Sequence, residues 1–202
     1  MFRERLGHLI NKANHMQVCG EADNIRDGLA LIKQTRPSIA IVDITLKGSN
    51  GLELLKDLRA HKIDLPVLVL SMHDESLYAE RALRAGARGY ITKYEASSSV
   101  MMAIRRILKG EIYLNPRFMS QVMSRMMTGR NTSVQPIDRL ADRELEVFEL
   151  IGRGLTSREI GKQLRLGITT VDTYRTRIKE KLNLENGARL RSEASRWVQQ
   201  HE

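Results

Sequence analysis

Residues 140–184, LADRELEVFELIGRGLTSREIGKQLRLGITTVDTYRTRIKEKLNL, decide the fold of the C-terminal part of the chain. The segment LTSREIGKQL predicts a short amphipathic helix, with Thr156 placed as its N-cap. Leu166–Gly167 predicts a sharp turn, a second helix begins near Ile168, and Gly161 lies where the two helices must pack closely. The apolar side chains recur at helical spacing and predict a buried seam: Ile160, Leu164, Val171 and Ile178.

The opposite face of the second helix is polar and basic. Its residues are Thr169, Asp172, Thr173, Thr176, Arg177 and Lys179. Small polar and basic side chains on a protruding helix suit the major groove of DNA. The stretch 153–181 holds eight Lys or Arg against three acidic residues, an excess typical of phosphate binding. A helical bundle that docks on another protein is the alternative.

Upstream, residues 16–99 alternate short apolar runs with amphipathic helices. The runs are MQVCGEA, IAIVDI, VLVLS and GYITK, and the intervening helices are IRDGLALIKQ, GLELLKDLRAH and SLYAERALRAGA. The first three runs are continuous rather than alternating, as in parallel strands covered on both faces. The pattern predicts an α/β, doubly wound parallel sheet, followed by a small all-α helix-turn-helix domain.

The segment between these two parts predicts a linker. Residues 96–109 form a further predicted helix, and GRNTSVQPID has the composition of a loop. We therefore expect an N-terminal domain over 1–112, a linker with a short helix over 113–137 and a C-terminal domain over 138–202. The predicted helices of the last domain are 142–152, 156–165, 168–182 and 186–199. The methionines in the linker helix recur at helical spacing, which predicts core or interdomain packing: Met119, Met123, Met126 and Met127.

Three polar residues follow predicted strands: Asp43, Ser71 and Lys93. Ligands of open parallel sheets bind outside the carboxyl ends of the strands, so these side chains are expected to converge in a 2-1-3-4-5 strand order. A carboxylate nucleophile beside a hydroxyl and an ammonium suits acceptance of a phosphoryl group. A plain salt bridge between Asp43 and Lys93 at the rim of the sheet is the alternative.

The blocks VDITLKGSNGLEL, LSMHDE and GARGYITK resemble two-component receiver domains, and residues 140–190 resemble the LuxR-type helix-turn-helix. Together they cover nearly the whole chain and are similar to the NarL/FixJ class of response regulators. The resemblance implies Asp43 as phosphoacceptor and Ser71, Tyr90 and Lys93 as switch residues. Gly51 matches the glycine after the acceptor loop.

Receiver domains start with a strand that ends in two acidic residues, which hold Mg²⁺, whereas residues 1–10 match the helix that follows it. By this resemblance we expect the first strand and the acidic pair to be missing, through loss of part of the natural N-terminus or in a degenerate receiver. The metal site would keep Asp43 and the Thr45 carbonyl, so Mg²⁺ binding is expected to be weak or absent. The runs MQVCGEA and IAIVDI would then pair directly, or the first would leave the sheet.

In the helix-turn-helix, the resemblance implies base-facing positions at Asp172, Thr173 and Thr176 and backbone contacts from Arg175 and Lys179. Asp172 stands where a lysine is common, and a carboxylate can accept a hydrogen bond from cytosine N4.

Two further features of the C-terminal part follow from the resemblance. Ala141 stands where a Ser or Thr helix cap is usual, an expected loss of roughly 1 kcal/mol. The helix equivalent to the last one pairs with a partner in this family, so its apolar stripe predicts a dimer interface rather than core: Ala188, Leu190, Ala194, Trp197 and Val198.

The predicted function is a DNA-binding response regulator that controls transcription, gated by phosphorylation at Asp43 in the full-length form. A phosphorylation-independent regulator, whose degenerate receiver serves dimerisation or partner binding, is the alternative. The expected partners are double-stranded DNA, a sensor histidine kinase and a second copy of the chain.

Other classes find little support. The sequence holds no P-loop, dinucleotide or nucleophile-elbow motif, so an enzyme is not expected. It also has no apolar run of membrane length and no signal-peptide pattern. Cys19, the single cysteine, is expected to be buried in a strand and, with no export signal, fits a cytoplasmic protein. His73, Asp74 and Glu75 predict a solvated loop rather than a metal site.

Overall fold

The computed structural model describes residues 2–46, 48–72, 75–116, 118–120 and 136–200. The chain divides into two compact units, the first built from residues 1–46 and 51–119 and the second centred on residues 120–202. Several residues named above lie outside the described residues: His73, Asp74, Met123, Met126, Met127 and most of the predicted linker. In the described part of the chain, no helix has the length and apolar character needed to cross a membrane.

The first unit contains a parallel sheet of three strands. These are β1 (Ala40–Asp43), β4 (Val67–Ser71) and β5 (Gly89–Thr92), in the order β1-β4-β5. Two short strands, β2 (Thr45–Leu46) and β3 (Ser49–Asn50), form a separate pair. Because the ladders are parallel, all three strands of the sheet end at the same edge. The doubly wound class is thus confirmed, with three of the expected strands.

The helices of this unit whose bounds are described are α1 (Phe2–Asn11), α2 (Ile25–Thr35), α3 (Gly51–Ala60), α4 (Glu75–Ala85) and α5 (Ala96–Leu108). Buried side chains of α5 pack on Leu68, Leu70 and Ile91 of the sheet, and apolar side chains of α1 join this cluster. The alternate residues Val67 and Val69 are also fully buried, on the opposite face. Burial on both faces explains why the strand sequences are continuously apolar.

The run MQVCGEA (16–22) is not a strand, so that prediction is wrong. A β-strand forms by hydrogen bonding to a neighbouring strand. Among the described residues, β1 has a ladder with β4 alone, so residues 16–22 have no strand to pair with. Met16 packs instead against the α1–α5 cluster, and the Val18 N–H donates to the Asn11 side chain at 2.7 Å. Of the two outcomes foreseen for this segment, the structure has the one in which it leaves the sheet. Cys19 is consequently exposed, not buried.

The described part of the second unit contains a 3₁₀ turn (Pro136–Arg139) and four helices. They are α6 (Asp142–Gly152), α7 (Ser157–Leu164), α8 (Ile168–Leu182) and α9 (Gly187–Gln199), within one residue of the predicted bounds. Helices α6 and α9 pack closely, since a Cβ on Gly152 would lie 2.4 Å from the Ala194 carbonyl oxygen. The rings of Phe148 and Trp197 meet edge-on, 5.7 Å apart.

The apolar stripe of α9 belongs to the core of this unit. Leu190, Ala194 and Val198 are buried within the single chain. Their assignment to a dimer interface is therefore wrong, because side chains already covered by their own chain offer no surface to a second copy. Ala188 is exposed and Trp197 is half-buried.

Candidate functional site

The carboxyl edge of the sheet brings together the residues predicted there. Asp43 ends β1, Ser71 ends the central strand β4, and Lys93 follows β5 directly. The Lys93 ammonium forms an ion pair with Oδ2 of Asp43, and the Thr45 N–H donates to Oδ1 at 3.2 Å. The backbone N–H of Lys93 donates to the Ser71 carbonyl at 2.7 Å. A nucleophilic oxygen, a hydroxyl-bearing residue and a cation thus lie along one edge.

The length of the Lys93 side chain makes this pair possible. Strands β1 and β5 are separated by β4, so their ends lie roughly 10 Å apart. A long, flexible ammonium side chain can cross that gap above Ser71, whereas a shorter side chain could not. The ring of Phe2, at the start of α1, lies 5.5 Å from the ammonium and adds a cation–π contact.

Ser71 and Tyr90 are both fully buried. Tyr90 lies on the central part of β5, and its backbone N–H donates to the Tyr113 carbonyl at 3.0 Å. The segment around Tyr113 thereby runs alongside β5 as an extra extended stretch. Tyr90, one of the residues predicted as switch positions, is therefore one hydrogen bond away from the segment that leads to the linker.

Glu95 and Asn115 strengthen that connection and were not identified from the sequence. One carboxylate oxygen of Glu95 accepts a hydrogen bond from Thr92 at 3.2 Å, and the other accepts one from the Asn115 amide at 2.9 Å. Glu95 lies two residues after Lys93, and Asn115 immediately precedes Pro116. No local pattern could have indicated this pair, because its members are twenty positions apart.

A second site is formed by the α7–α8 pair. The predicted seam is confirmed, since Ile160, Leu164, Val171 and Ile178 are all buried. Gly161 allows the close approach expected there, because a Cβ would lie 2.8 Å from the Leu166 carbonyl oxygen. The chain reverses through a left-handed residue, Arg165 (φ 55°), while Gly167 is the extended N-cap of α8.

The polar face of α8 is exposed. Five of the residues predicted to face DNA are exposed: Thr169, Asp172, Thr173, Thr176 and Arg177. Arg175 and Lys179 are partly buried. A surface with basic side chains and small polar side chains on a helix of fifteen residues has the size and chemistry to enter a major groove.

Hydrogen bonds order the first turns of this face. Oδ1 of Asp172 accepts a hydrogen bond from the Ser157 hydroxyl, the first residue of α7, at 2.8 Å. The Thr173 hydroxyl donates to the Thr169 carbonyl at 2.9 Å. Ser157 was not identified from the sequence, because its role depends on the crossing of two helices.

These two sites define a class of protein: a regulator that joins an α/β unit with an acidic strand end to a helix-turn-helix unit. The response regulator receiver domain family matches residues 1–105, and the LuxR family of bacterial regulatory proteins matches residues 138–194. The chain belongs to the response regulators with a receiver domain and a LuxR-type DNA-binding domain.

Similar proteins carry corresponding descriptions. The chain is 32% identical to the transcriptional activator protein ExaE of Pseudomonas putida, covering 94% of this chain and 89% of the relative. It is 35% identical to the transcription regulator BvgA of Bordetella pertussis, covering 83% and 79%. A LuxR-family response regulator structure from Aurantimonas is 30% identical, with a TM-score of 0.57, over 62% of this chain and 89% of that one. RcsB of Salmonella enterica, solved on the rprA promoter, shares the fold at 22% identity and a TM-score of 0.57, covering 96% and 92%.

Receiver domains of this family typically bind Mg²⁺. Magnesium requires near-octahedral oxygen ligands, usually one or two carboxylates with waters and phosphate oxygens. Asp43 offers one carboxylate, whose oxygens already receive Lys93 and the Thr45 N–H. The described residues contain no group of three or more His, Cys, Asp or Glu that could hold a metal ion. Among the described residues, this edge therefore offers Mg²⁺ one carboxylate, that of Asp43, and further ligands would come from water and phosphate oxygens.

Proposed function

We propose that this protein regulates transcription by placing α8 in the major groove of double-stranded DNA. The observation that carries the proposal is the contrast between the two faces of α8. Its apolar face, with Val171 and Ile178, is buried against neighbouring helices, while its polar face is exposed. In this arrangement α7 lies across the DNA backbone, and α8 presents its side chains to base edges.

Two kinds of contact are expected from α8. Asp172, Thr173 and Thr176, with Thr169 and Arg177 on the same exposed face, are proposed to face the bases. Arg175 and Lys179 are proposed to neutralise phosphates, which raises affinity for every sequence alike.

The proposal is tested by Lys179→Ala in the full chain. We expect weaker binding to all duplexes and a fall of about 1 in the slope of log K against log salt, because one phosphate contact is lost. Fluorescence anisotropy over a salt series measures both quantities. Lys33→Ala, an exposed lysine in the last turn of α2, is the matched control. If Lys179→Ala leaves both affinity and slope at their original values, α8 does not dock as proposed.

For the first unit, we propose that Asp43 accepts a phosphoryl group from a sensor histidine kinase. A carboxylate oxygen attacks phosphorus as the bond to the donor breaks, and the Lys93 ammonium and Ser71 hydroxyl then hold the phosphoryl oxygens. The convergence of these three residues supports the proposal. Movement of Ser71 and Tyr90 would then reach the linker through Tyr113 and the Glu95–Asn115 hydrogen bond.

A phosphorylation-independent regulator is the second candidate. Its support is the environment of Asp43: the carboxylate is already paired with Lys93, and among the described residues it belongs to no group of three or more possible metal ligands. In that case the first unit serves dimerisation or the binding of a partner, while DNA binding by α8 is unchanged.

We place the receiver domain at residues 1–112, the linker at 113–137 and the LuxR-type domain at 138–202. The matched families, over 1–105 and 138–194, support these bounds. We further propose a cytoplasmic protein without enzymatic activity that binds DNA as a homodimer, since one such module covers a half-site.

A further inference from the structure

Asp172 is an unusual residue for a surface that meets DNA, because its negative charge is repelled by phosphates. It lies on the exposed face of α8, in the second turn. The structure gives it a fixed neighbour on the other helix of the motif: the Ser157 hydroxyl donates to Oδ1 at 2.8 Å. The carboxylate is thus held at a defined place, and Oδ2 remains to accept a second donor.

Thr173, the next residue, also presents a hydrogen-bond acceptor, but for a different reason. Its hydroxyl proton is used within the helix, in the hydrogen bond to the Thr169 carbonyl. A hydroxyl has one proton to donate and two lone pairs. Because this proton is engaged, Thr173 presents a hydrogen-bond acceptor and a methyl group at the exposed surface of α8. The exposed N-terminal half of α8 therefore carries acceptors at two adjacent positions.

In the major groove, exocyclic amino groups are the donors: N4 of cytosine and N6 of adenine. Guanine presents only acceptors at this edge, and adenine places its N7 acceptor beside N6, so both bases face a carboxylate less favourably than cytosine does. From this complementarity we propose that Asp172 selects cytosine at one position of each half-site, with Ser157 as its positioning residue. The inference rests on the proposed docking of α8 on DNA and names the base that this surface reads.

Ser157 is needed because an aspartate side chain without this hydrogen bond has other favourable conformations. Close to phosphates, a free carboxylate would rotate towards solvent, and fixing it again on binding costs side-chain entropy. The hydrogen bond from α7 holds the side chain before DNA arrives. Arg175 and Arg177, about two and about two and a half turns from the start of α8, supply the positive charge that keeps overall binding favourable.

The experiment is selection from a randomised duplex library with the full chain, followed by affinity measurements on the selected site and on its single-base variants. We expect one position at which cytosine is preferred roughly tenfold, within the range of one good base-edge contact. Asp172→Asn should move that preference to adenine, because an amide pairs with both N6 and N7 of adenine.

Ser157→Ala separates positioning from stability. We expect the ratio of affinities for cytosine and for the other bases at that position to fall several-fold, whereas a loss of folding would weaken binding to every duplex alike. Ser192→Ala, an exposed serine on α9, is the matched control and should keep the full preference.

Two outcomes would overturn the inference, and they are distinguishable. If Asp172→Asn selects the same bases as the original chain, DNA binding stands and Asp172 reads no base. If the original chain enriches no sequence and its binding does not depend on salt, the proposed docking itself fails and the inference fails with it.

Discussion

Two helix caps in the second unit differ by one side-chain hydrogen-bond acceptor. Thr156, the N-cap of α7, accepts a hydrogen bond from the Glu159 N–H, and its own N–H donates to the Glu159 carboxylate at 2.8 Å. Ala141, the N-cap of α6, has the same extended backbone and the same return bond to Glu144 at 2.8 Å, but no side-chain acceptor. The Glu144 N–H in the first turn of α6 therefore lacks the side-chain acceptor that Thr156 provides in α7.

Ala141→Ser should stabilise the second unit by about 1 kcal/mol, because the hydroxyl supplies the missing acceptor. Urea unfolding followed by the fluorescence of Trp197, the chain's single tryptophan, measures the change. Thr156→Ala is the converse control and should lower the free energy of unfolding by a similar amount. Equal unfolding midpoints for Ala141→Ser and the original chain would contradict this account of the cap.

The carboxylate of Glu159 makes this cap sensitive to pH. Its pKa is lowered from the ordinary value of 4.5 because the Thr156 hydroxyl and backbone N–H hydrogen-bond to its charged form. Stability from such a group is fully present above the ordinary pKa and is lost as the pH falls through the lowered pKa of the folded state.

Glu159→Gln should therefore remove a part of the acid sensitivity of the second unit. Urea midpoints between pH 3 and pH 6, a window of roughly one to two units around an ordinary glutamate pKa, test this expectation. The original chain should lose more stability across this range than the variant does. Parallel pH profiles would mean that Glu159 carries no such stabilisation.

At the scale of elements, the start of α3 is set directly against the end of β1. The Gly51 N–H donates to the Ile44 carbonyl at 2.6 Å, and a Cβ on Gly51 would lie 2.0 Å from the Asp43 carbonyl oxygen. No side chain fits at this distance, so the position requires glycine. Gly51, which matches the glycine after the acceptor loop of receiver domains, thus holds the backbone of Asp43 in place.

Gly51→Ala should destabilise the first unit by about 1–3 kcal/mol, the usual cost of forcing an atom into a filled core. Thermal unfolding by circular dichroism measures the loss, and hydrogen exchange should show the opening at residues 40–58. Gly28→Ala in α2 is the matched control, since its Cβ would meet nothing closer than 3.8 Å. That change should leave stability equal or slightly higher, because alanine favours a helix.

At the scale of the whole molecule, the proposed control of DNA binding by the first unit depends on the reactivity of Asp43. The ion pair with Lys93 leaves the carboxylate accessible enough to react, since its side chain is 31% exposed. Phosphorylation would replace one negative charge by about two, and Lys93 would then pair with the phosphoryl oxygens. Such a change in charge shifts the balance between two conformations that the unit already adopts.

A phosphodonor such as acetyl phosphate, tested on the full chain, should label Asp43 and strengthen DNA binding about fivefold or more, the usual range of allosteric coupling. Mass spectrometry locates the label, and anisotropy measures the affinity. Asp43→Asn should remove both effects while keeping basal DNA binding. An unlabelled chain that binds DNA equally well with and without donor would instead favour the phosphorylation-independent candidate.

The amino-acid sequence by itself determined the local features of this protein. Helices α6 to α9 lie within one residue of their predicted bounds, because caps such as Thr156 and a 3.6-residue apolar period act over a few neighbouring positions. The strand ends at Asp43 and Ser71 follow from the same kind of local pattern, an apolar run closed by a polar residue.

The tertiary structure decided everything that needed a distant partner. Residues 16–22 have the apolar content of a strand, but without a neighbouring ladder they do not form one. The stripe of α9 became core because α6 packs on it, and Asp43 met Lys93 because both their strands pair in parallel with β4 and end at the same edge. The hydrogen bond from Ser157 to Asp172 likewise exists only where α7 and α8 cross. These contacts depend on how elements far apart in the chain pack, which a local pattern does not encode.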